Sequence, residues 1–365
     1  MDTEARVITA LGGRQPDRVP VFLYLNPYTE NWEAADPSYS TVMDACREYA
    51  DVICDWYCPS GFCCSAAPLE SQTIPQADGT TRHLLQTPRG PISRVTTPDW
   101  RGAGLVKNWI VTEEDALRVL SIPSLTPRPD LGPFRETRQR LRGKAIAQIT
   151  LNDPICWLGG ITQPETLAIW TLENRPLIRR FLDVTFERTL ALLEHCLRED
   201  AGPLLYFNGP EYALPPLMSP ADFEEFVVEY DRRLVELIHS WPGKYVIVHS
   251  HGRVNRFLER FAALGMDGLN VLEPPPLGDV ELADAKRRIG KRVCLIGNIQ
   301  YDDLARSSRE QVRQLVRQTL AAGAPGGGFI LSPCASPYEH PLPPKAAGNF
   351  IEYLRAAHDY GRYPA

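Results

Sequence analysis

Two of the chain's seven histidines, His249 and His251, stand one residue apart in "KYVIVHSHGRV", residues 244–254. They end a run of β-branched residues and precede Gly252. Side chains alternate along a strand, so residues two apart point to the same side. A His-x-His pair at a strand end can therefore chelate one ion. Zinc takes three or four N, S and O ligands at roughly 2.0–2.3 Å. Cys334 in "ILSPCASP" offers a thiolate, and Glu211 in "YFNGPEY" offers a carboxylate. The pair reads two ways: as the start of a metal site, or as hydrogen-bonded structural histidines at a polar strand end. Alone, Cys334 reads as a small buried thiol, and Glu211 as a turn residue. Cys54, Cys58, Cys63 and Cys64 in "CDWYCPSGFCC" lack the C-x2-C spacing of structural zinc sites and read as structural.

Those groups meet only if the fold carries them to one place. Eight short β-rich runs recur, at residues 19–25, 50–56, 145–151, 203–207, 244–249, 268–272, 292–297 and 327–331. Several are almost wholly apolar, as in parallel sheets covered on both faces. Helix signals fill the later gaps. Ser219 with Pro220 opens "SPADFEEFVVEYDRRLVELIHS". Asp279 and Gly290 bound "DVELADAKRRIG", and Ser308 with Gln311 opens a helix ending at Gly323. The alternation predicts an α/β fold, a (β/α)8 TIM barrel forming a single domain over 1–365. Residues 78–111 read as β-hairpins inserted between the second and third strands, followed by a helix opened by Thr112. An open doubly wound sheet is the alternative, weakened because no Gly-rich phosphate loop follows any strand.

A barrel of this kind keeps its active site at the C-terminal strand ends. The predicted exits carry Asn26, Asp55 with Trp56, Asn152 with Asp153, and Asn208 with Glu211. The later ones carry His249 with His251, Glu273, Asn298 and Cys334. His249, His251, Cys334 and Glu211 form the candidate metal set, with His249 and Glu211 also as candidate acid–base groups. Asn26, Tyr57, Asp153, Asn208, Glu273 and Asn298 are the candidate substrate-binding groups. Tyr24, Trp56 and Tyr57 are either an apolar pocket wall or core.

Composition narrows the function. The formal net charge is −6 with no basic run, which argues against a nucleic-acid surface. The opening "MDTEARVITALGG" carries acids where a secretory signal needs basic residues. No window reaches the roughly 18 apolar residues of a membrane span. Nine cysteines without a small disulfide frame suit reduced thiols. A cytoplasmic enzyme is expected, acting on a small molecule and bound to neither membrane nor nucleic acid.

The ordered motifs "PDRVPV", "TPRGPISRVTTPDW", "VKNWIVTEEDAL", "MSPADFEEFVVEY", "VHSHG", "LGMDGLN", the Gly297-Asn298 pair and "GGFILSP" cover nearly the whole chain. In these it resembles the uroporphyrinogen decarboxylase superfamily, and most closely its branch of corrinoid-dependent, methylcobamide:coenzyme M type methyltransferases. The resemblance implies zinc held by a His-x-Cys-Gly motif and a later cysteine. His249 matches the histidine, His251 stands where that branch has cysteine, and Cys334 matches the later cysteine. Glu211 lies where a further acidic ligand can arise. Exchanging a thiolate for imidazole leaves a more Lewis-acidic metal, which favours an oxygen-containing substrate over a thiol acceptor. The implied function is methyl transfer between a small donor or acceptor and a corrinoid. No D-x-H-x-x-G cobalamin signature occurs, so the corrinoid would come on a separate partner protein. The decarboxylases instead use an arginine-rich loop after the first strand. Here that loop, "YLNPYTENWEAAD", has no basic residue and contains Glu30 and Glu33. A decarboxylase or lyase with His249 near Asp153, or a non-catalytic binder, are the other readings.

Overall fold

The computed structural model describes residues 1–99 and 102–363. Trp100 and Arg101, inside the insertion read from residues 78–111, lie outside the described residues, as do Pro364 and Ala365. The strands run β1 (Val52–Tyr57), β2 (Ser71–Pro75), β3 (Thr81–Thr87), β4 (Gly90–Asp99), β5 (Gly102–Lys107) and β6 (Ala145–Asn152). They continue as β7 (Leu204–Asn208), β8 (Tyr245–Ser250), β9 (Gly268–Val271), β10 (Cys294–Ile299) and β11 (Phe329–Pro333). Among the described residues, β1 and β6 to β11 pair in parallel in that order, as a seven-stranded sheet.

The first predicted strand, residues 19–25, is not a regular one. Val21 instead bridges in parallel to Leu331 of β11. The Leu331 amide donates to Pro20 O, the Phe22 amide to Leu331 O, and the Asp51 amide to Val21 O at 2.7 Å. The segment therefore stands between β11 and the start of β1 and closes the ring. It stays irregular because Pro20 has no N–H to give a ladder and Tyr24 turns into the left-handed region at φ +55°. Closure removes the two open edges that a seven-stranded parallel sheet would expose.

The predicted insertion is an antiparallel sheet in the order β2-β3-β4-β5. It starts one strand earlier than the sequence suggests, because residues 71–75 pair with β3. Gly79, at φ +82°, makes the turn that joins them. The helix signals hold at Thr112, Ser219 and Ser308, each of which closes a capping box. The helix expected from Asp279 begins only at Leu282. Asp279 spends its carboxylate on the Asn255 amide of the preceding crossover, at 2.9 Å. No helix among the described residues is long and apolar enough to cross a membrane.

The inside of the barrel explains where chemistry can occur. Ile53, Ile146, Leu204, Ile247, Cys294, Ile296 and Ile330 cluster inside it with Phe22, and with Val7, Ala10 and Leu11 of the helix Thr3–Leu11. That helix stops the bottom of the barrel with apolar side chains. Stepping two residues along each strand keeps to the inner face but changes its character. Ile53 gives way to Asp55 and Tyr57, Leu204 to Tyr206 and Asn208, and Ile247 to His249 and His251. An oily floor thus carries a polar rim.

Candidate active site

A cavity of about 220 Å³ opens on that rim. It is lined from β1 by Ile53, Asp55 and Tyr57, from β8 by Ile247 and His249, just past β8 by His251, and after β11 by Cys334, Ala335 and Ser336. Phe22, Tyr24, Gln148, Tyr206, Asn208, Asn270 and Ile296 complete the wall. Its volume falls below the roughly 300–1,000 Å³ of pockets that hold drug-sized ligands. A small molecule fits it.

Asn270 organises the inner part. Its Oδ1 lies 2.8 Å from His249 Nδ1 and 3.0 Å from the Tyr206 hydroxyl, while its Nδ2 donates to the Tyr24 hydroxyl at 2.7 Å. A carbonyl oxygen only accepts, so His249 Nδ1 carries the hydrogen and Nε2 keeps the lone pair. Burial pulls the His249 imidazole down to about 4, helped by the neighbouring His251. His249 is therefore neutral at physiological pH.

His251 is set differently. Its Nδ1 lies 3.0 Å from Glu273 Oε1, and Glu273 Oε2 accepts from the Gly252 amide at 2.6 Å. The hydrogen bond to Glu273 raises the His251 pKa. Burial pushes Glu273 upward, but its bonds from His251 and Gly252 outweigh that and leave it below the usual carboxylate range. Leu272, at φ +62°, ends β9 in a left-handed turn directly before Glu273. Such a turn swings the carboxylate out of the strand and onto the histidine. The two imidazole rings meet edge to face, their centroids 4.6 Å apart.

Cys334 is buried, and its Sγ lies 4.0 Å from Val271 O. Burial raises its thiol well above the usual range. Glu211, in the 3-10 turn Pro210–Ala213, stands beside the cavity rather than in its wall, near enough for its charge to be felt at His251. Its Oε2 is buried with no hydrogen-bond partner, and burial raises its pKa. As placed, no three His, Cys, Asp or Glu side chains among the described residues stand close enough to hold a metal ion. The donor types nonetheless suit zinc. Two imidazoles keep Nε2 lone pairs, a carboxylate orients one of them, and a thiol and an orphaned carboxyl stand by. For Cys334 to join them, its thiol must lose its proton and its contact with Val271 O.

The remaining expected site residues separate. Tyr57 and Asn208 line the cavity, and Glu273 acts through His251. Asn26 is used locally, with its amide on Cys54 Sγ at 2.9 Å and its Oδ1 on the Tyr28 amide. Asp153 is fully buried and caps the helix Pro154–Ile161 through the Cys156 amide, so it is not placed to serve His249. Asn298 lines a separate outer cleft with Pro274 and Gln300. Gly297, at φ +156°, interrupts the inward alternation of β10 just before it. Of the predicted aromatic wall, Tyr24 and Tyr57 are present, while Trp56 packs outward on Phe134. Cys54, Cys58, Cys63 and Cys64 are buried away from the cavity wall.

The cavity also takes in Asp55, which the sequence offers only as a polar strand exit, with Gln148, Tyr206 and Asn270. Asp55 Oδ1 accepts from Gln148 Nε2 and Thr150 Oγ1, each at 2.7 Å. Gln148 and Asn270 were detectable as polar residues inside otherwise apolar strands.

Comparison with known proteins agrees with this architecture. The family described as uroporphyrinogen decarboxylase (URO-D) matches residues 135–356. The uroporphyrinogen decarboxylase of Serratia proteamaculans (strain 568) is 25% identical over 369 residues, covering 94% of each chain. That of Sodalis glossinidius (strain morsitans) is 28% identical over 295 residues, covering 73% of this chain and 78% of its own. Among solved structures, a methyltransferase from Methanosarcina mazei superposes with a TM-score of 0.63 at 17% identity, over 99% of both chains. That is a likeness of fold. With the match spanning β6 to β11 and both cavity histidines, the chain belongs to the uroporphyrinogen decarboxylase (URO-D) family.

Proposed function

We propose that this protein is a methyl-transferring enzyme with zinc at the barrel mouth, exchanging a methyl group between a small substrate and a corrinoid carried by a separate protein. The observation that carries the reading is the pair of imidazoles. Each is fixed through Nδ1 by a different acceptor, Asn270 or Glu273, and both line one cavity with Cys334. A hydrogen bond at Nδ1 that frees Nε2 is the usual arrangement of metal-ligating histidine. A zinc ion held there would supply Lewis acidity to the site.

The chain's own groups do the rest. His249 offers a neutral Nε2 whatever the pH above about 5, because its pKa is held low. His251 is oriented by Glu273. Cys334 must give up its thiol proton to ligate, and the orphaned carboxyl of Glu211 is a group beside His251 that can hold a proton at Oε2. The apolar floor of Phe22, Ile53, Ile247 and Ile296 keeps water from below. The cavity is too small for a macrocycle, which supports a corrinoid that approaches from outside on its own protein.

Decarboxylation is the second reading, favoured by the names of the relatives and by the Asp55 carboxylate inside the cavity. The same cavity opposes a polycarboxylate tetrapyrrole, since among the described residues neither lysine nor arginine lines it. Two assays separate the readings. Methyl transfer predicts about one zinc per purified chain, lost in His249→Ala/His251→Ala, and a methylcob(III)alamin spectrum with a reduced corrinoid protein and a small methyl donor. Zinc-free protein that releases carbon dioxide from uroporphyrinogen would replace this function with decarboxylation.

A further inference from the structure

We infer that the substrate is a small organic cation, a methylated ammonium ion seated between Asp55 and the cavity tyrosines. This deepens the methyl-transfer reading and rests on it only in taking the cavity's occupant to be the molecule that carries the methyl group. The charge balance of the cavity is the starting point. Among the described residues its ionisable wall groups are Asp55, Tyr24, Tyr57, Tyr206, His249, His251 and Cys334, with no lysine or arginine. His251 is matched by Glu273 behind it. Asp55 has no such match. Both of its hydrogen bonds come from neutral donors, Gln148 and Thr150, and both end on Oδ1. Among the described residues neither a hydrogen bond nor an ion pair reaches Oδ2.

Asp55 is exposed at the cavity mouth, and a carboxylate there with no cationic partner gives the opening a negative potential that favours a cation. Hydroxyl and amide donors on Oδ1 hold the carboxylate in place without cancelling its charge. The rest of the wall suits the same occupant. Tyr24, Tyr57 and Tyr206 line the cavity with Asp55, and aromatic rings attract alkylammonium ions through their negative faces. A neutral ligand would gain nothing from that charge, and an anion would be repelled by it. Asp55 lies on β1, and the histidines lie at the end of β8 and just past it, with β6 and β7 between in the sheet. An ion held at Asp55 therefore has the candidate metal ligands across the cavity from it, and a methyl substituent can reach toward them.

The test uses three probes that share a trimethyl end and differ in charge: trimethylammonium, tert-butanol and pivalate. Each is titrated calorimetrically into the full chain without corrinoid, so the result does not depend on turnover. Trimethylammonium is expected to bind at least tenfold more tightly than the other two. Asp55→Asn, which keeps an acceptor for Gln148 and Thr150, is expected to erase its advantage over tert-butanol. The inference is overturned if tert-butanol or pivalate binds as tightly as trimethylammonium, if none of the three binds, or if Asp55→Asn keeps the preference. Should that variant not fold, the ranking on the wild-type chain decides alone. Absence of zinc would sink the methyl-transfer reading while leaving this ranking unaffected, so the two failures are distinguishable.

Discussion

His249 and His251 differ by one strand step, yet their surroundings send them in opposite directions. Burial keeps His249 neutral, whereas Glu273 raises the pKa of His251. Glu273 is thus a positioning residue whose effect is readable without any substrate. In Glu273→Gln the His251 imidazole should titrate lower, as followed by NMR of the metal-free chain. Zinc affinity should fall about 10- to 100-fold in competition with a chelator, the usual effect of losing such an outer partner. An unchanged titration would mean that Glu273 does not set His251. Asn270 gives a second handle at this scale. Asn270→Ala strands the His249 Nδ1–H and two tyrosine hydroxyls in a buried place. About 1–3 kcal/mol of stability should be lost in denaturant unfolding.

Among the elements, the junctions after β6 and β7 carry the tightest constraint. Gly209, at φ +148°, passes so close to Asp153 that a Cβ would lie 1.8 Å from Oδ1. Gly209→Ala should cost about 3 kcal/mol, from overpacking and an unfavourable backbone together. Beneath it, Asp153 and Asp231 are both buried, and burial raises each, Asp231 to about 7. Two carboxyls so placed hold a proton that the unfolded chain gives up near pH 4. The folded chain then binds more protons between these limits, so stability is full below about pH 4 and is lost as pH rises through about 7. Asp231→Asn should flatten that slope and raise the thermal midpoint at pH 8. An unaltered pH profile would contradict the shared proton. The capping boxes at Thr112, Ser219 and Ser308 were legible because a cap is a local bargain among four residues. The irregular stave at residues 19–25 was legible as apolar but not as bent, since the turn at Tyr24 is held by Asn270, far along the chain.

For the molecule as a whole, ring closure depends on Asp51. Its carboxylate, almost fully buried, takes Arg6 Nη1 at 2.5 Å, Arg18 Nη1 at 2.6 Å and the Val21 amide at 3.1 Å. It ties the bottom helix and the first stave to β1. Asp51→Ala leaves Arg18 without its carboxylate and Arg6 with Asp17 alone, and should destabilise the chain by about 3 kcal/mol in urea unfolding. The barrel and its rim were readable in the sequence because strand periodicity reports which residues face inward. What periodicity cannot report is how a turn re-aims a side chain: Asn298 left the cavity beyond Gly297, and Asp153 turned down to cap a helix. Nor does it tell whether three inward groups close on one point. On the proposed function, His249 at the end of β8, His251 just past it and Cys334 in the turn after β11 close around one metal ion. Titrating the metal-free chain with cobalt(II) and reading its absorption tests this directly. The expected result is saturation near one equivalent with a sulfur-to-cobalt charge-transfer band that Cys334→Ser abolishes and His251→Ala weakens. No stoichiometric uptake, or a band that survives Cys334→Ser, would contradict it.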